Sequence, residues 1–200
     1  MNKDNYFLIV PASGVGTRMG SSTPKQYLRL ENGLTIIDQC LKTLLEIKLI
    51  SGFVVALSST DSFFQSSHFY NHSKILAIAE GGKERFNSVL SALNSLNNRA
   101  QPNDWVLVHD SVRPCIKKSD IEKLIREVSN DSIGGILATS AIDTVKEKNA
   151  SDSIKTIDRK KLYMAQTPQM FRFGILKEAI ASAIRMGGSI TDESGATEKL

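Results

Sequence analysis

The sequence predicts an α/β protein with a doubly wound, mostly parallel sheet, and three observations lead there. Short, near-continuous apolar runs recur along the chain, segments with apolar residues at helical spacing lie between them, and a glycine-rich stretch follows directly on the first run. Continuous apolar runs suit strands covered on both faces. The crevice beyond the first strand is where such a sheet binds its ligand.

Taken in order, Tyr6 to Val10, Phe53 to Leu57, Ile75 to Ala79, Trp105 to His109 and Gly135 to Thr139 read as strands. Between them, Ile36, Ile37, Cys40, Leu41, Leu44 and Leu45 recur at helical spacing, followed by Val89, Leu90, Leu93 and Leu96, then by Ile121, Leu124, Ile125 and Val128. Ser119, three residues before Glu122, spells a capping box and is expected to start the third helix. After Thr139 the rhythm breaks. Ile142 to Lys148 and Ile154 to Ile157 are extended and polar around a turn-rich Asn149 to Ser153, which predicts a projecting hairpin, and helical spacing returns at Phe173 to Met186. A lone hairpin is marginal, so another subunit is its expected support. The whole is a Rossmann-like doubly wound sheet with a projecting β-hairpin arm: one domain over residues 1–200, its arm at about 142–161.

Composition narrows the function. With 41% hydrophobic and 23% charged residues the chain is an ordinary globular one, and a net charge of +4 hints at anionic ligands. The largest basic clusters are Lys117-Lys118 and Arg159-Lys160-Lys161, without the aromatic interleaving of a nucleic-acid track, so no nucleic-acid partner is expected. No run approaches the length of a membrane helix, and the polar start, Met1 to Tyr6, lacks the features of a signal peptide. Two cysteines far apart, Cys40 and Cys115, make no disulfide framework. A cytoplasmic protein without a membrane partner is the expectation. His68, His72 and His109 have no metal-ligand spacing; His109 reads as a strand residue beside the site, Trp105 and Phe86 as core, and Cys115 as a small packed residue.

The chemistry concentrates in Pro11-Ala12-Ser13-Gly14-Val15-Gly16-Thr17-Arg18-Met19-Gly20, then Pro24-Lys25-Gln26-Tyr27. A dinucleotide fingerprint needs glycine where Met19 stands, and a Walker loop needs a Gly-Lys pair followed by Ser or Thr; neither is spelled. What remains is a glycine loop with two cations, Arg18 and Lys25, able to face a polyphosphate and hold the charge that builds during phosphoryl displacement. Alone, the loop reads first as a glycine-rich turn with surface cations and second as that site.

Four later segments decide between them. Gly81-Gly82-x-Glu84-Arg85-x-x-Ser88, His109-Asp110-x-x-Arg113-Pro114, Asp143-Thr144 with Asp158-Arg159, and Thr167-Pro168-Gln169 with Thr191-Asp192-Glu193 follow in order. Together with the first loop they resemble the signature of the sugar-alcohol phosphate cytidylyltransferases over nearly the whole chain, in particular the branch that acts on 2-C-methyl-D-erythritol 4-phosphate in non-mevalonate isoprenoid synthesis. The resemblance implies that Arg18 and Lys25 stabilise the transition state as a substrate phosphate oxygen attacks the α-phosphorus of CTP. An ionised phosphate needs no general base. It implies that Ala12, Ser13, Gly14, Gly82, Lys83, Ser88 and Ser111 read cytosine and ribose, with Gly16 and Arg85 in the same nucleotide set. Close backbone approach would explain Gly81 and Gly82.

By the same resemblance, Asp110 and Arg113 lie against the substrate, with Asp110 close to a Mg2+ that the CTP phosphates mainly hold. Thr144 and Arg159 bind the substrate phosphate in a neighbour's site through an arm swapped across a homodimer, and Thr167 contacts the sugar-alcohol. Two departures stand out. Family members continue beyond the Thr-Asp-Glu segment to a lysine-bearing strand that has no counterpart before Leu200, so those C-terminal elements are expected to be missing; Ser13 and Ser111-Val112 also replace common alanines. The readings left beside the methylerythritol one are a ribitol 5-phosphate cytidylyltransferase, more distantly a uridylyl- or adenylyl-transferase acting on sugar 1-phosphates, and a non-catalytic nucleotide-binding module.

Overall fold

The computed structural model describes residues 4–14, 23–150, 152–187 and 190–200. Six strands form one sheet: β1 (Tyr6–Pro11), β2 (Ile50–Leu57), β3 (Ile75–Glu80), β4 (Trp105–Val108), β5 (Gly134–Ser140) and β8 (Tyr163–Arg172), in the order β3-β2-β1-β4-β8-β5. The β3-β2, β2-β1 and β1-β4 pairings are parallel, and β8 pairs antiparallel with both β4 and β5.

The alternation of side chains along each strand explains the continuous apolar runs. Leu8 and Val10 of β1 join Phe53, Val55, Trp105 and Leu107 in a core under α1 (Ile36–Leu45) and α3 (Lys118–Val128). Phe7 and Ile9 join Val54, Ala56, Val106 and Val108 in a second core under α2 (Arg85–Ser95) and α4 (Phe173–Arg185). Every second residue therefore serves the opposite face, and a central strand can carry no polar residue on either. Trp105 is fully buried and Phe86 packs against the second core, as the sequence predicts for both.

Three local expectations change. Strand β8 has no counterpart in the sequence reading, because Gln166, Thr167, Pro168 and Gln169 interrupt its apolar run; it inserts between β4 and β5 and makes that end of the sheet antiparallel. Ser119 does not cap α3. The helix starts at Lys118, two residues earlier than a Ser119 cap would set, after an extended Lys117 that gives no side-chain cap, leaving Ser119 inside the first turn. Cys115 is exposed rather than packed, since it sits in the turn after Arg113-Pro114 and not in an element.

The arm stands where the sequence places it. Between β5 and β8 the chain forms β6 (Val145–Lys148) and β7 (Ile154–Ile157), an antiparallel pair in a sheet of its own. The amide of Ala141 donates to the Leu162 carbonyl at the base of the arm, at 3.0 Å. Ile142, Ile154, Tyr163 and Met164 on and beside the arm are all more than half exposed.

Candidate active site

The carboxyl ends of β1, β3 and β4 converge, and each hands the chain to one of the segments singled out in the sequence. After β1, the buried Gln26 side chain donates to the carbonyls of Ala12 and Gly14, at 2.8 and 3.1 Å. Gln26 lies in a 3-10 turn, Lys25–Tyr27, so this anchor holds the exposed Lys25 close in the chain to a fixed point on the first loop. Gly16 and Arg18 lie outside the described residues.

The second glycine loop leans on the first. The Ser13 and Ser88 hydroxyls are hydrogen bonded at 2.7 Å, and Ser88 Oγ accepts from the Gly82 amide at 3.1 Å. A Cβ on Gly81 would meet Ser13 Cβ at 2.3 Å, and one on Gly82 would meet Asn87 Cβ at 2.3 Å. The glycines are thus required by close packing against Ser13 and Asn87. Asn87 in turn accepts from the Glu84 amide at the start of α2.

Beyond β4, Asp110 is held from two sides. Arg85 Nε donates to Oδ1 and Arg113 Nε to Oδ2, both at 2.9 Å. Burial opposes ionisation of Asp110, but the two guanidinium groups outweigh it and hold the carboxyl below its ordinary value. Arg85 also grips Glu193 through both terminal nitrogens, at 2.6 and 3.0 Å. Arg113 reaches Gln166 of β8 at 2.5 Å.

The backbone beneath this cluster is pinned by a chain of bonds. His109 donates from Nε2 to the Arg113 carbonyl at 3.1 Å, accepts at Nδ1 from the Thr167 hydroxyl at 3.0 Å, and that hydroxyl accepts from the Asp110 amide at 3.3 Å. Burial pushes the His109 pKa down, which keeps the ring neutral and suits one donor and one acceptor nitrogen. From α1, the Cys40 thiol donates to the Ser111 carbonyl at 3.2 Å, its pKa pushed up to about 12 by burial. Gln169, also buried, bonds Asp192 at 2.8 Å and accepts from the Ser194 amide at 2.9 Å, tying α5 (Glu193–Thr197) to β8.

Ala12, Ser13, Gly14, Gly82, Ser88, Arg85, Asp110, Ser111, Arg113 and Thr167 thus gather around one crevice, with the exposed Lys83 and Lys25 on its rim. A cavity of about 850 Å³ opens beside it, reaching Arg113, Gln166 and Thr167. Thr144 and Arg159 are not brought in. Both are exposed on the arm, and Arg159 donates to the Ile142 carbonyl within it. Sequence reasoning missed the positioning roles of Gln26, Cys40 and Gln169. The first and last stood in quoted motifs, but their partners lie on other elements.

Two glycine loops in close contact beside a clamped carboxylate stand at the strand ends where sheets of this kind bind their ligands, and the class of protein is a nucleotidyltransferase. The profile of the IspD family, 2-C-methyl-D-erythritol 4-phosphate cytidylyltransferase, matches residues 6–200, and the chain belongs to that family. It is 51% identical to the enzyme of that name from Ruthia magnifica over 98% of this chain and 84% of the relative. With the Vibrio vulnificus (strain YJ016) enzyme it shares 46% over 95% of this chain and 80% of that one. The crystal structure of the Francisella tularensis enzyme superposes with a TM-score of 0.82 at 38% identity, covering 98% of this chain and 86% of that one.

Proposed function

We propose that this chain transfers the cytidylyl group of CTP to 2-C-methyl-D-erythritol 4-phosphate, releasing pyrophosphate, in the non-mevalonate route to isoprenoid precursors. The observation that carries the reading is the meeting of the two glycine loops with the Asp110–Arg113 cluster at the strand ends, in a chain of this family. Backbone groups of Ala12, Ser13, Gly14, Gly82 and Lys83, with Ser88 and Ser111, read the cytidine, with Gly16 in the same nucleotide-binding set. A phosphate oxygen of the acceptor attacks the α-phosphorus, and the bond to the β-phosphate breaks. Arg18 and Lys25 neutralise the charge that gathers on the α-phosphoryl oxygens. Arg113 and Thr167 orient the acceptor.

The residues fit a magnesium ion held chiefly by nucleotide. Among the described residues no cluster of three ligating side chains exists, and each Asp110 oxygen already accepts one guanidinium bond, leaving a lone-pair site for a metal or its water. When bound, the ion offsets triphosphate charge. We place Thr144 and Arg159 in the neighbouring site of a homodimer. Exposed Ile142, Ile154, Tyr163 and Met164 give the arm apolar surface for a second copy, and in that assembly each site would draw Thr144 and Arg159 from its neighbour. The free Cys40 and Cys115 support a reducing cytoplasm.

The test is pyrophosphate release with CTP and Mg2+, comparing methylerythritol 4-phosphate with ribitol 5-phosphate under identical conditions. Release with the first alone is expected. Release with ribitol 5-phosphate alone would move the chain to the other acceptor, and CTP binding without release with either would make it a nucleotide-binding module.

A further inference from the structure

The Thr191-Asp192-Glu193 segment has no role in the chemistry so far, yet it supplies the deepest carboxylate near the site. The Glu193 side chain is 1% exposed and both its oxygens engage Arg85, 108 residues away in sequence. A buried carboxylate carries a desolvation cost that an apolar residue at the same place would avoid. Anchoring a helix of five residues does not need it, because Ala196 is already fully buried and Asp192 is tied to Gln169.

What Glu193 does achieve is geometric. A planar guanidinium held at both terminal nitrogens cannot rotate, so the direction of its Nε–H is set, and that bond ends on Asp110 Oδ1. It is also electrostatic. Burial pushes the Glu193 pKa up and the Arg85 guanidinium opposes it; ionised against that guanidinium, Glu193 and Asp110 balance Arg85 and Arg113, and without the Glu193 charge the cluster carries one excess positive charge beside the carboxylate expected to meet a cation.

We infer that Glu193 is a positioning residue for the reaction: through Arg85 it fixes the orientation of Asp110 and keeps the cluster neutral, so that Asp110 can meet the metal–triphosphate. Arg85 then serves as a fixed strut between two carboxylates rather than a direct phosphate ligand. This inference rests on the proposed cytidylyltransferase reading, which puts the metal–nucleotide complex against Asp110. Partners one step from a metal ligand typically matter by about 10–100-fold in metal affinity or activity.

The experiment is Glu193→Gln, which keeps the shape and removes the charge, with two readouts. Isothermal titration calorimetry measures Mn2+ binding to the protein complexed with a non-hydrolysable CTP analogue, and steady-state kinetics measure kcat, KM for CTP and the Mg2+ concentration for half-maximal rate. Expected are a Mn2+ affinity lowered about 10-fold or more and a matching rise in the Mg2+ requirement, with kcat falling more than KM for CTP rises. Arg85→Lys keeps the positive charge and loses the fork, so it should give the same shift, and the double variant should be little worse than either single one. Thr197→Ala, which loosens α5 through its bonds to the carbonyls of Glu193 and Ser194, should lower Tm without changing the metal requirement. If Glu193→Gln does not fold, Arg85→Lys carries the test. Wild-type metal affinity in both variants, or losses that multiply in the double variant, would overturn the inference. Wild-type protein that binds the metal–nucleotide but shows no transfer would count against the proposed function instead.

Discussion

Replacing Gly81 with alanine tests whether the two glycine loops form one rigid binding surface. The new Cβ would lie 2.3 Å from Ser13 Cβ, 2.7 Å from Ser13 Oγ and 3.1 Å from the Leu57 carbonyl oxygen. Opening the first of these to an ordinary 3.4 Å contact takes about 1.1 Å of movement. Serine has no flexible end to swing aside, so the backbone of one loop must move. That motion pulls on the Ser13–Ser88 bond of 2.7 Å and on the bond from the Gly81 amide to Leu57, at 2.6 Å.

Overpacking of this kind costs about 1–3 kcal/mol, and a lost hydrogen bond adds about 1 kcal/mol, giving roughly 2–4 kcal/mol. For a chain of this size that is a fall in Tm of roughly 4–16 °C. A displacement near 1 Å is also enough to lower turnover by about 100-fold. Gly52→Ala is the comparison. Its Cβ would come closer still, 2.1 Å from Leu76 Cδ1 and 2.4 Å from Cγ, but both are side-chain atoms that a turn about χ1 moves without a backbone shift, at about 0.5–1.5 kcal/mol for an off-rotamer angle. Thermal unfolding and CTP titration should rank Gly81→Ala well below Gly52→Ala in both stability and affinity. Equal Tm values, with wild-type CTP affinity in Gly81→Ala, would refute the close-packed account of the loops.

Three further outcomes follow from the same geometry. Lys25→Ala should lower kcat by about 100-fold or more while changing CTP affinity little, because its interaction is made in the transition state; unchanged turnover in a steady-state assay removes Lys25 from the mechanism. Arg159→Ala should raise KM for the acceptor, and mixing it with inactive Arg18→Ala protein should restore part of the activity through exchanged subunits. No restoration despite exchange seen by native mass spectrometry would exclude the shared site. Cys40, whose thiol ionises at 9.0 when free and at about 12 in the fold, contributes stability that is complete below pH 9 and is lost as pH rises towards 12. Denaturant titrations should show the wild type losing about 1.4 kcal/mol between pH 8 and pH 10 that Cys40→Ala does not lose, and equal slopes would contradict the buried neutral thiol.

Legibility in the sequence followed how local each cause was. Strands β1, β2 and β4 declared themselves because burial on both faces leaves near-continuous apolar runs, β3 at the sheet edge by a half-buried apolar run, and the arm because its alternation is polar and turn-bounded. Strand β8 did not, because its buried Gln169 and Thr167 are satisfied only by Asp192, Ser194, His109 and Asp110, which are distant in the chain. Ser119 misled because the capping spelling is local, whereas the start of α3 is set by an extended Lys117. Asp110 and Arg113 could be named through the segment His109-Asp110-x-x-Arg113-Pro114 and the family it resembles. Their connection to Glu193 through Arg85 could not, since only the folded chain joins residues 85, 110 and 193. Cys40 reads as a helix-face apolar residue, and its bond to Ser111 appears only once α1 packs beneath the loop.

The proposed transfer is a single in-line displacement at the α-phosphorus, driven by charge neutralisation without a covalent intermediate. The direct measurement is the stereochemical course of transfer from CTP made chiral by one sulfur on the α-phosphorus, followed by phosphorus NMR of the product. One displacement predicts inversion. Retention would require two successive displacements, and with them a covalent intermediate on a nucleophile of the protein.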